Sequence, residues 1–171
     1  MKRLPLFAAL ATLGFATTAA AQSIAVDQPW ARATTPSQSV GGAFLTITDN
    51  GPDDALVSAA SPIAATVELH ETVNDNGVMK MKPVDSLKLA HGQSVTLKPG
   101  SYHLMIMGLK QQLKQGDMFP VTLNFAHSAP ITVSVMVHGA GAAGPMDMGG
   151  MDHSHMHMDH SGMSMPMQQK P

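Results

Sequence analysis

The chain has 171 residues, a length that fits one domain or one domain with appendages. Charged residues make up only 13% and hydrophobic residues 44%, and the unusual counts are 15 Met and 9 His with no Cys. The absence of Cys excludes disulfide scaffolds, thiolate zinc sites, iron–sulfur clusters and Cys nucleophiles. A formal net charge of −2 gives no basic footprint for nucleic acid or anionic lipid. The composition therefore favours soft-metal chemistry.

Residues 1–21 have the pattern of a secretory signal peptide. Lys2 and Arg3 precede an apolar run, and Ala19 and Ala21 supply the small-x-small cleavage pattern. The run has roughly a dozen residues, fewer than the ~20 that span a bilayer, so a membrane anchor is the less favoured alternative. Cleavage after Ala21 removes the two basic residues and no acid, which changes the formal charge from −2 to −4. We expect a periplasmic protein without stable membrane insertion.

Residues 22–138 are predicted to form an all-β domain. Short, partly alternating segments rich in β-branched residues are separated by Gly, Pro, Asn and Asp, which is typical of strands joined by turns. The clearest segments are 43–48, 65–73, 94–97, 121–125 and 131–137. Their spacing indicates an antiparallel sandwich or barrel. Trp30 is expected to anchor the first strand in the core or at an edge.

The composition changes abruptly after this domain, and residues 139–171 are predicted to form a flexible linker followed by a metal-binding tail. Residues 139–144 read Gly-Ala-Gly-Ala-Ala-Gly, a flexible linker. Residues 146–167 hold 8 Met and 4 His but no aliphatic residue. Such a segment cannot bury enough apolar surface to offset the entropy of ordering, so we expect the tail to be disordered until it binds a ligand.

A predicted hairpin inside the domain carries His70 and Met81 on either side of the loop 74–77. If all four loop residues separate the strands, His70 faces Met81 directly. If Asn76 and Gly77 form a two-residue type I′ turn, Met81 is only diagonal to His70. Because side chains two apart share a face of a sheet, the two residues share a face in either register.

A third strand alternates His103, Met105 and Met107 with Leu104 and Ile106. In a half-buried strand the aliphatic pair is expected to face the core. The His and Met side chains are then presented outward.

Together, His70, Met81, His103 and Met105 would supply two imidazoles and two thioethers. This soft, uncharged set favours Cu(I) over zinc or other hard divalent ions. Thioethers also suit an oxidising compartment, where a thiolate pair would tend to form a disulfide. Taken singly, each residue is more often a core-filling Met or a surface His. The combination favours a metal site.

The pattern His70-x10-Met81-x21-His103-x-Met105 resembles the H-x10-M-x21-H-x-M signature of the periplasmic Cu(I) chaperone family known as PCuAC. The likeness covers most of residues 24–138. The resemblance implies a cupredoxin-like Greek-key β-sandwich that binds Cu(I) through these two His and two Met near the surface. It also implies delivery of copper to the CuA-bearing subunit of cytochrome c oxidase or to another periplasmic copper chaperone, or periplasmic copper handling more broadly.

The chain departs from part of this family at one variable place. Some members carry Met directly after the first His, where this chain has Glu71. The four-ligand set stays intact, but a fifth thioether at that position is lost. Met79 and Met107 are the candidates to replace it as auxiliary ligands.

The tail is a second candidate metal site. Imidazoles, with the carboxylates of Asp152 and Asp159, would bind Cu(II), whereas thioethers suit Cu(I). Similar extensions in some PCuAC-like proteins are associated with Cu(II). The tail is expected to capture copper near the domain, since a tether of ~20 residues gives a millimolar effective concentration. The candidate ligands are His153, His155, His157, His160, Met146, Met148, Met151, Met156, Met158, Met163, Met165 and Met167.

Two other functional classes are less favoured than a metallochaperone. The alternative is a periplasmic copper storage or resistance protein in which the tail is the main metal sink. An enzyme is disfavoured, because the expected mature N terminus is Gln22 rather than the His of a histidine brace, and a blue-copper centre needs a Cys. No catalytic residues are assigned. His91 and His127 are predicted to be solvated loop residues, and His138 could join a tail site.

Overall fold

The computed structural model describes residues 23–145. Residues 1–21 and every candidate ligand of the tail lie outside the described part of the chain, so the signal-peptide and tail predictions are not addressed by it. None of the residues between 23 and 145 belongs to a helix long and apolar enough to cross a membrane. Ten β-strands fill this range: β1 Ile24–Arg32, β2 Val40–Asp49, β3 Asp54–Ala60, β4 Thr66–Asp75, β5 Val78–Pro83, β6 Leu87–Leu89, β7 Ser94–Leu97, β8 Tyr102–Met107, β9 Met118–Phe125 and β10 Ile131–His138.

The strands form a sandwich whose sheet closes on itself. Their order is β5-β4-β8-β2-β1-β10-β9-β3-β6, β7 pairs with β2, and β3 also pairs with β4. Strand β2 connects the layers, because Val40–Ala43 pair with β8 while Leu45–Thr48 pair with β7. Neighbours that are distant in sequence, such as β4 and β8, mark Greek-key connections. The predicted all-β architecture is confirmed.

Alternation along the strands sends aliphatic side chains into one core. Its fully buried members include Leu45, Ile47, Leu56, Leu104, Ile106, Val121, Leu123 and Val135. Each such side chain contributes roughly 1.5–3 kcal/mol to folding relative to an exposed one. Because Leu104 and Ile106 of β8 face this core, the opposite face of the strand, which carries His103 and Met105, is turned away from it.

The hairpin between β4 and β5 has the tighter of its two predicted registers. Asp75 pairs with Val78, and the two residues between them, Asn76 and Gly77, have φ angles of 54° and 87°. Positive φ at both central positions is the mark of a type I′ turn, and Gly accepts it without strain. Thr72 therefore faces Met81, which places the methionine diagonal to the histidine two residues earlier in β4.

One end of the sandwich is tied together by a buried carboxylate. Asp54 accepts hydrogen bonds from the backbone N–H groups of Ala55, His127 and Ser128 at 2.7, 3.0 and 2.8 Å. Burial alone would raise the pKa of this carboxyl, but a hydrogen bond from the Ser128 side chain and the three backbone hydrogen bonds outweigh it and lower the pKa to about 2. The His127 imidazole lies in an exposed loop, as predicted.

His91 is likewise an exposed loop residue, as predicted. Its backbone N–H donates to Oδ1 of Asp53, and its Nδ1 lies 2.7 Å from the carbonyl oxygen of Gly51. The residue therefore connects two loops at the end of the sandwich.

Candidate metal centre

Strand pairing gathers the predicted ligands on one face of β5, β4 and β8. His70 and His103 are directly opposite each other in the β4–β8 ladder, with ring centroids 6.0 Å apart. In the same ladder Glu68 faces Met105. Met81 joins from β5 through its pairing with Thr72.

Three of the four predicted ligands line one cavity of about 550 Å³. Met81, His103 and Met105 contribute to its wall, together with Thr72 of β4 and Phe44 of β2. The cavity wall does not include His70, which lies beside it against the His103 ring. The structure thus brings three ligands together and places the fourth next to them.

The exposure of these side chains differs strongly across the site. Met81 on the edge strand is 60% exposed, whereas His103 in the middle of the sheet is only 6% exposed. The outward presentation expected for the β8 face is therefore wrong for His103. Aromatic side chains are the reason, because the Phe44 ring lies 6.5 Å from the His103 ring and Trp30 stacks on Phe44 at 4.5 Å.

A backbone carbonyl fixes the orientation of His103. Its Nδ1 lies 3.0 Å from the carbonyl oxygen of Ser101. A carbonyl only accepts, so Nδ1 carries the proton and Nε2 keeps its lone pair. In a histidine that ligates a metal, the ring nitrogen that does not bind the metal usually donates a hydrogen bond to an acceptor.

His70 shows the same arrangement with the nitrogens exchanged. Its Nε2 lies 3.0 Å from Oε2 of Glu68, a carboxylate that requires a donor. Its Nδ1 is buried and has no hydrogen-bond partner among the described residues. An unpaired buried acceptor is unfavourable. This buried and unpaired nitrogen makes His70 a candidate metal ligand.

The donor set favours a soft ion. No group of three or more His, Asp or Glu that could hold a metal ion occurs within residues 23–145. A site built on His70 and His103 therefore needs the thioethers of Met81 and Met105 to reach four ligands. Such a set selects Cu(I) over zinc, calcium or magnesium.

The auxiliary candidates lie at the margins. Met79 is 57% exposed toward the tip of the hairpin, Met107 is half-buried opposite Thr66, and neither lines the cavity. Their auxiliary role stays a prediction. Glu71 lies on the other face of β4, opposite Tyr102. Burial, together with the negative charge of Glu71 and its hydrogen bond, raises the pKa of Tyr102. Position 71 therefore points away from the site.

The segment after β10 also reaches the cavity. Ala140 contributes to the cavity wall, and Ala142 is 2% exposed in a small cluster with Trp30 and Phe44. His138 is buried, with its ring 5.6 Å from that of Trp30. Trp30 is thus a buried anchor of the first strand, as predicted, and it also packs in one cluster with Ala142 near the start of the linker.

Sequence reasoning did not identify Glu68 or the residues around Ala142. Glu68 precedes His70 by two positions, and this period-two spacing was the available signal. The contact of Ala142 with Arg32 joins residues 110 positions apart, and a Gly/Ala-rich stretch carries no signal for it.

A family model described as "Putative lipoprotein LpqE-like" matches residues 24–137. Lxx21020 of Leifsonia xyli subsp. xyli is 34% identical over 119 residues, covering 68% of this chain and 70% of the relative. RP573 of Rickettsia prowazekii is 37% identical over 118 residues, covering 64% of each chain.

Solved structures share the fold. The copper-bound PCuAC domain from PmoF2 has 20% identity and a TM-score of 0.60, over 70% of this chain and 96% of that domain. Apo-DR1885 from Deinococcus radiodurans has 28% identity and a TM-score of 0.54, over 80% of this chain and 94% of that one. CuI-DR1885 has 29% identity and a TM-score of 0.53, over 70% and 80%. The resemblance to PCuAC and the cupredoxin-like Greek-key β-sandwich are confirmed, and the chain belongs to the LpqE-like family.

Proposed function

We propose that this protein is a periplasmic copper chaperone that holds Cu(I) with His70, Met81, His103 and Met105. The buried, unpaired Nδ1 of His70, on a ring whose centroid is 6.0 Å from that of His103, is the observation that carries this proposal. The fold supports it, because CuI-DR1885 of Deinococcus radiodurans, a Cu(I) form, shares the fold at 29% identity. In this reading copper is cargo, and no catalytic residue is required.

The uneven exposure of the ligands suits ligand exchange. A partner's ligands can approach copper from the side of Met81, which is 60% exposed, while His103 remains covered at 6%. Thioethers bind as neutral ligands, so a thioether can leave copper without first being protonated. We propose that Met81 leaves first and His103 last when copper passes to a CuA-bearing oxidase subunit or to another copper chaperone.

Export belongs to the same proposal. Cleavage after Ala21 would leave Gln22 as the first residue and place the protein in the periplasm. Mass spectrometry of the periplasmic fraction should find this N terminus. A chain recovered with residues 1–21 attached would contradict it.

The test is an anaerobic Cu(I) titration of the mature full chain against a chromophoric chelator. Met81→Leu with Met105→Leu keeps the side-chain volume but removes both thioethers, and should remove one tight equivalent. Met118→Leu is the matched control, because Met118 is 59% exposed and lies on β9. With methyl-labelled methionine and Ag(I) as a redox-inert probe, the Met81 and Met105 signals should move within the first equivalent. If they stay fixed, the domain site does not exist.

The alternative is a copper storage protein. Its support is the tail composition, 8 Met and 4 His in residues 146–167. It predicts several equivalents of comparable affinity that survive the Met81 and Met105 changes. The chaperone proposal predicts one equivalent that is tighter than the rest.

A further inference from the structure

Arg32 brings a positive charge to the wall of the cavity that Met81, His103 and Met105 also line. Within the described part of the chain, it is the only Lys, Arg, Asp or Glu in that wall. Neither of the two ion pairs found among residues 23–145 includes it. An arginine that borders a cavity and has no carboxylate partner is a candidate site for an anion.

Two contacts hold the Arg32 guanidinium in place. Its Nε donates a 2.7 Å hydrogen bond to the carbonyl oxygen of Ala142. Its Cζ lies 5.8 Å from the centroid of the Phe44 ring, a cation–π contact. The terminal N–H groups of the guanidinium form no hydrogen bond with any other described residue. A positioned pair of such donors suits the two oxygens of a carboxylate.

Gly42 leaves an empty position between Arg32 and the candidate copper ligands. Gly42 pairs with Met105 in the β2–β8 ladder, and the pairing of Ala31 with Ala43 places Arg32 on the other side of Gly42. Residues paired across neighbouring strands share a face of the sheet. Arg32 and Met105 therefore lie on one face, two strands and about 10 Å apart, with no side chain between them.

The cavity has room for a small molecule beside a metal ion. Its volume of about 550 Å³ lies in the range of small-molecule pockets. Soft donors line it from β5 and β8, whereas β1 and the residues that follow supply the cation and the polar side chains of Thr34, Thr35 and Gln38. A ligand that matches both sides carries a soft donor at one end and an anionic group at the other.

We propose that this cavity binds a small thioether carboxylate, the class of molecule to which free methionine belongs, with its carboxylate on Arg32 and its sulfur on Cu(I). The proposal deepens the proposed Cu(I) site and rests on it. The Cu–S bond to the small molecule forms as the bond to Met81 breaks, because Met81 is the most exposed of the protein thioethers in the cavity wall. The coordination number and the oxidation state of copper are unchanged by this exchange.

Three probes test the proposal on the mature full chain loaded anaerobically with one equivalent of Cu(I). N-acetylmethionine has both ends, N-acetylmethioninamide lacks the charge, and N-acetylnorleucine lacks the sulfur. Calorimetry should show N-acetylmethionine binding roughly tenfold or more tightly than the amide, as expected for a hydrogen bond to a charged group. N-acetylnorleucine should bind equally with and without Cu(I), whereas N-acetylmethionine should bind more weakly to the metal-free chain. Equal binding of all three probes, or no binding of N-acetylmethionine, would overturn the proposal.

A pair of variants tests the role of Arg32. Arg32→Gln removes the cavity charge, and Lys88→Gln removes one charge from an exposed position on β6. Arg32→Gln should lower the affinity for N-acetylmethionine to that for the amide and leave the affinity for the amide unchanged. Lys88→Gln should change neither affinity. Equal weakening of both probes by Arg32→Gln would mean that Arg32 acts only through the structure, and the proposal would be wrong. The probe comparison uses the unaltered chain and does not depend on how the variants fold.

Failure of this inference is distinguishable from failure of the proposed function. If the Met81 and Met105 changes remove a tight equivalent but the three probes bind alike or not at all, the domain Cu(I) site stands and the cavity proposal is wrong. If the Met81 and Met105 changes remove nothing, the domain site itself is absent and both fail.

Discussion

Nε2 of His70 lies 3.0 Å from Oε2 of Glu68, and this contact turns the unpaired Nδ1 of the same ring into the nitrogen available to a metal. Both residues belong to β4, two positions apart, so the strand itself presents them on one face. The Ser101 carbonyl plays the same part for His103 on the neighbouring strand, because it accepts a hydrogen bond from Nδ1 of that ring. Each imidazole of the site is thus oriented by an acceptor on its other nitrogen.

Replacing this carboxylate should weaken copper binding without removing a ligand. Glu68→Ala frees the His70 ring to rotate, and outer partners of this kind are worth about 10- to 100-fold in metal affinity. We expect that loss in a Cu(I) competition titration. Glu68→Gln should lose less, because its amide oxygen still accepts from Nε2. Glu71→Ala, on the opposite face of β4, is the control and should change the affinity less than twofold if Glu68 acts through His70.

The size of the cavity gives a second prediction. Gly42→Ala should be tolerated, since its Cβ would rest in ordinary contact with Phe44 at 3.4 Å. Gly42→Val adds bulk beside Met105 and should lower the Cu(I) affinity at least tenfold. Thermal unfolding should shift little or upward, because a β-branched residue suits a strand better than Gly. Normal binding by Gly42→Val would show that copper does not use this cavity.

Acid stability should depend on Asp54. Its folded pKa of about 2 lies below the ordinary value of 3.8, so its contribution to stability is fully present above about pH 4 and is lost as the pH falls toward 2. At neutral pH, Asp54→Ala leaves three partly buried N–H donors without their acceptor and should cost about 2–4 kcal/mol. Denaturant unfolding at pH 7 and pH 2.5 should show the difference from the parent shrinking in acid.

The control for this measurement is Asp85→Ala, because Asp85 is exposed. Its free energy of unfolding should follow the parent at both pH values. A constant deficit for Asp54→Ala across the whole range would mean that packing, not the charged carboxylate, is responsible.

The sequence predicted the parts of the site that depend on local periodicity. Alternation in β8 separated Leu104 and Ile106 from His103 and Met105, and the structure buries the first pair completely. The hairpin register stayed open between two values until the φ angles of Asn76 and Gly77 decided it. Both features arise within a few residues of chain.

The depth of the site depends on long-range contacts that local patterns do not encode. The His103 ring packs against Phe44 of β2, and Phe44 in turn packs against Trp30 of β1 and Ala142 after β10, so this cluster forms only after the three strands have assembled. The sequence therefore identified the candidate ligands but not the covered position of His103 or the docking of Ala142. Glu68 could have been predicted from the sequence, because residues two apart in a strand share a face and Glu68 precedes His70 by two positions.

Oxidation of methionine offers a last test that reads each thioether separately. Met81 and Met118 are 60% and 59% exposed, so mild peroxide should convert both to the sulfoxide at similar rates in the metal-free chain. Ag(I), which mimics Cu(I) without redox chemistry, should protect Met81 and leave Met118 unchanged, because a sulfur that donates its lone pair to a metal is a poorer nucleophile. Peptide mass spectrometry would give both rates in one sample. Protection of neither residue by one equivalent of Ag(I), with the tail methionines protected instead, would place the first metal ion in the tail and favour storage over transfer.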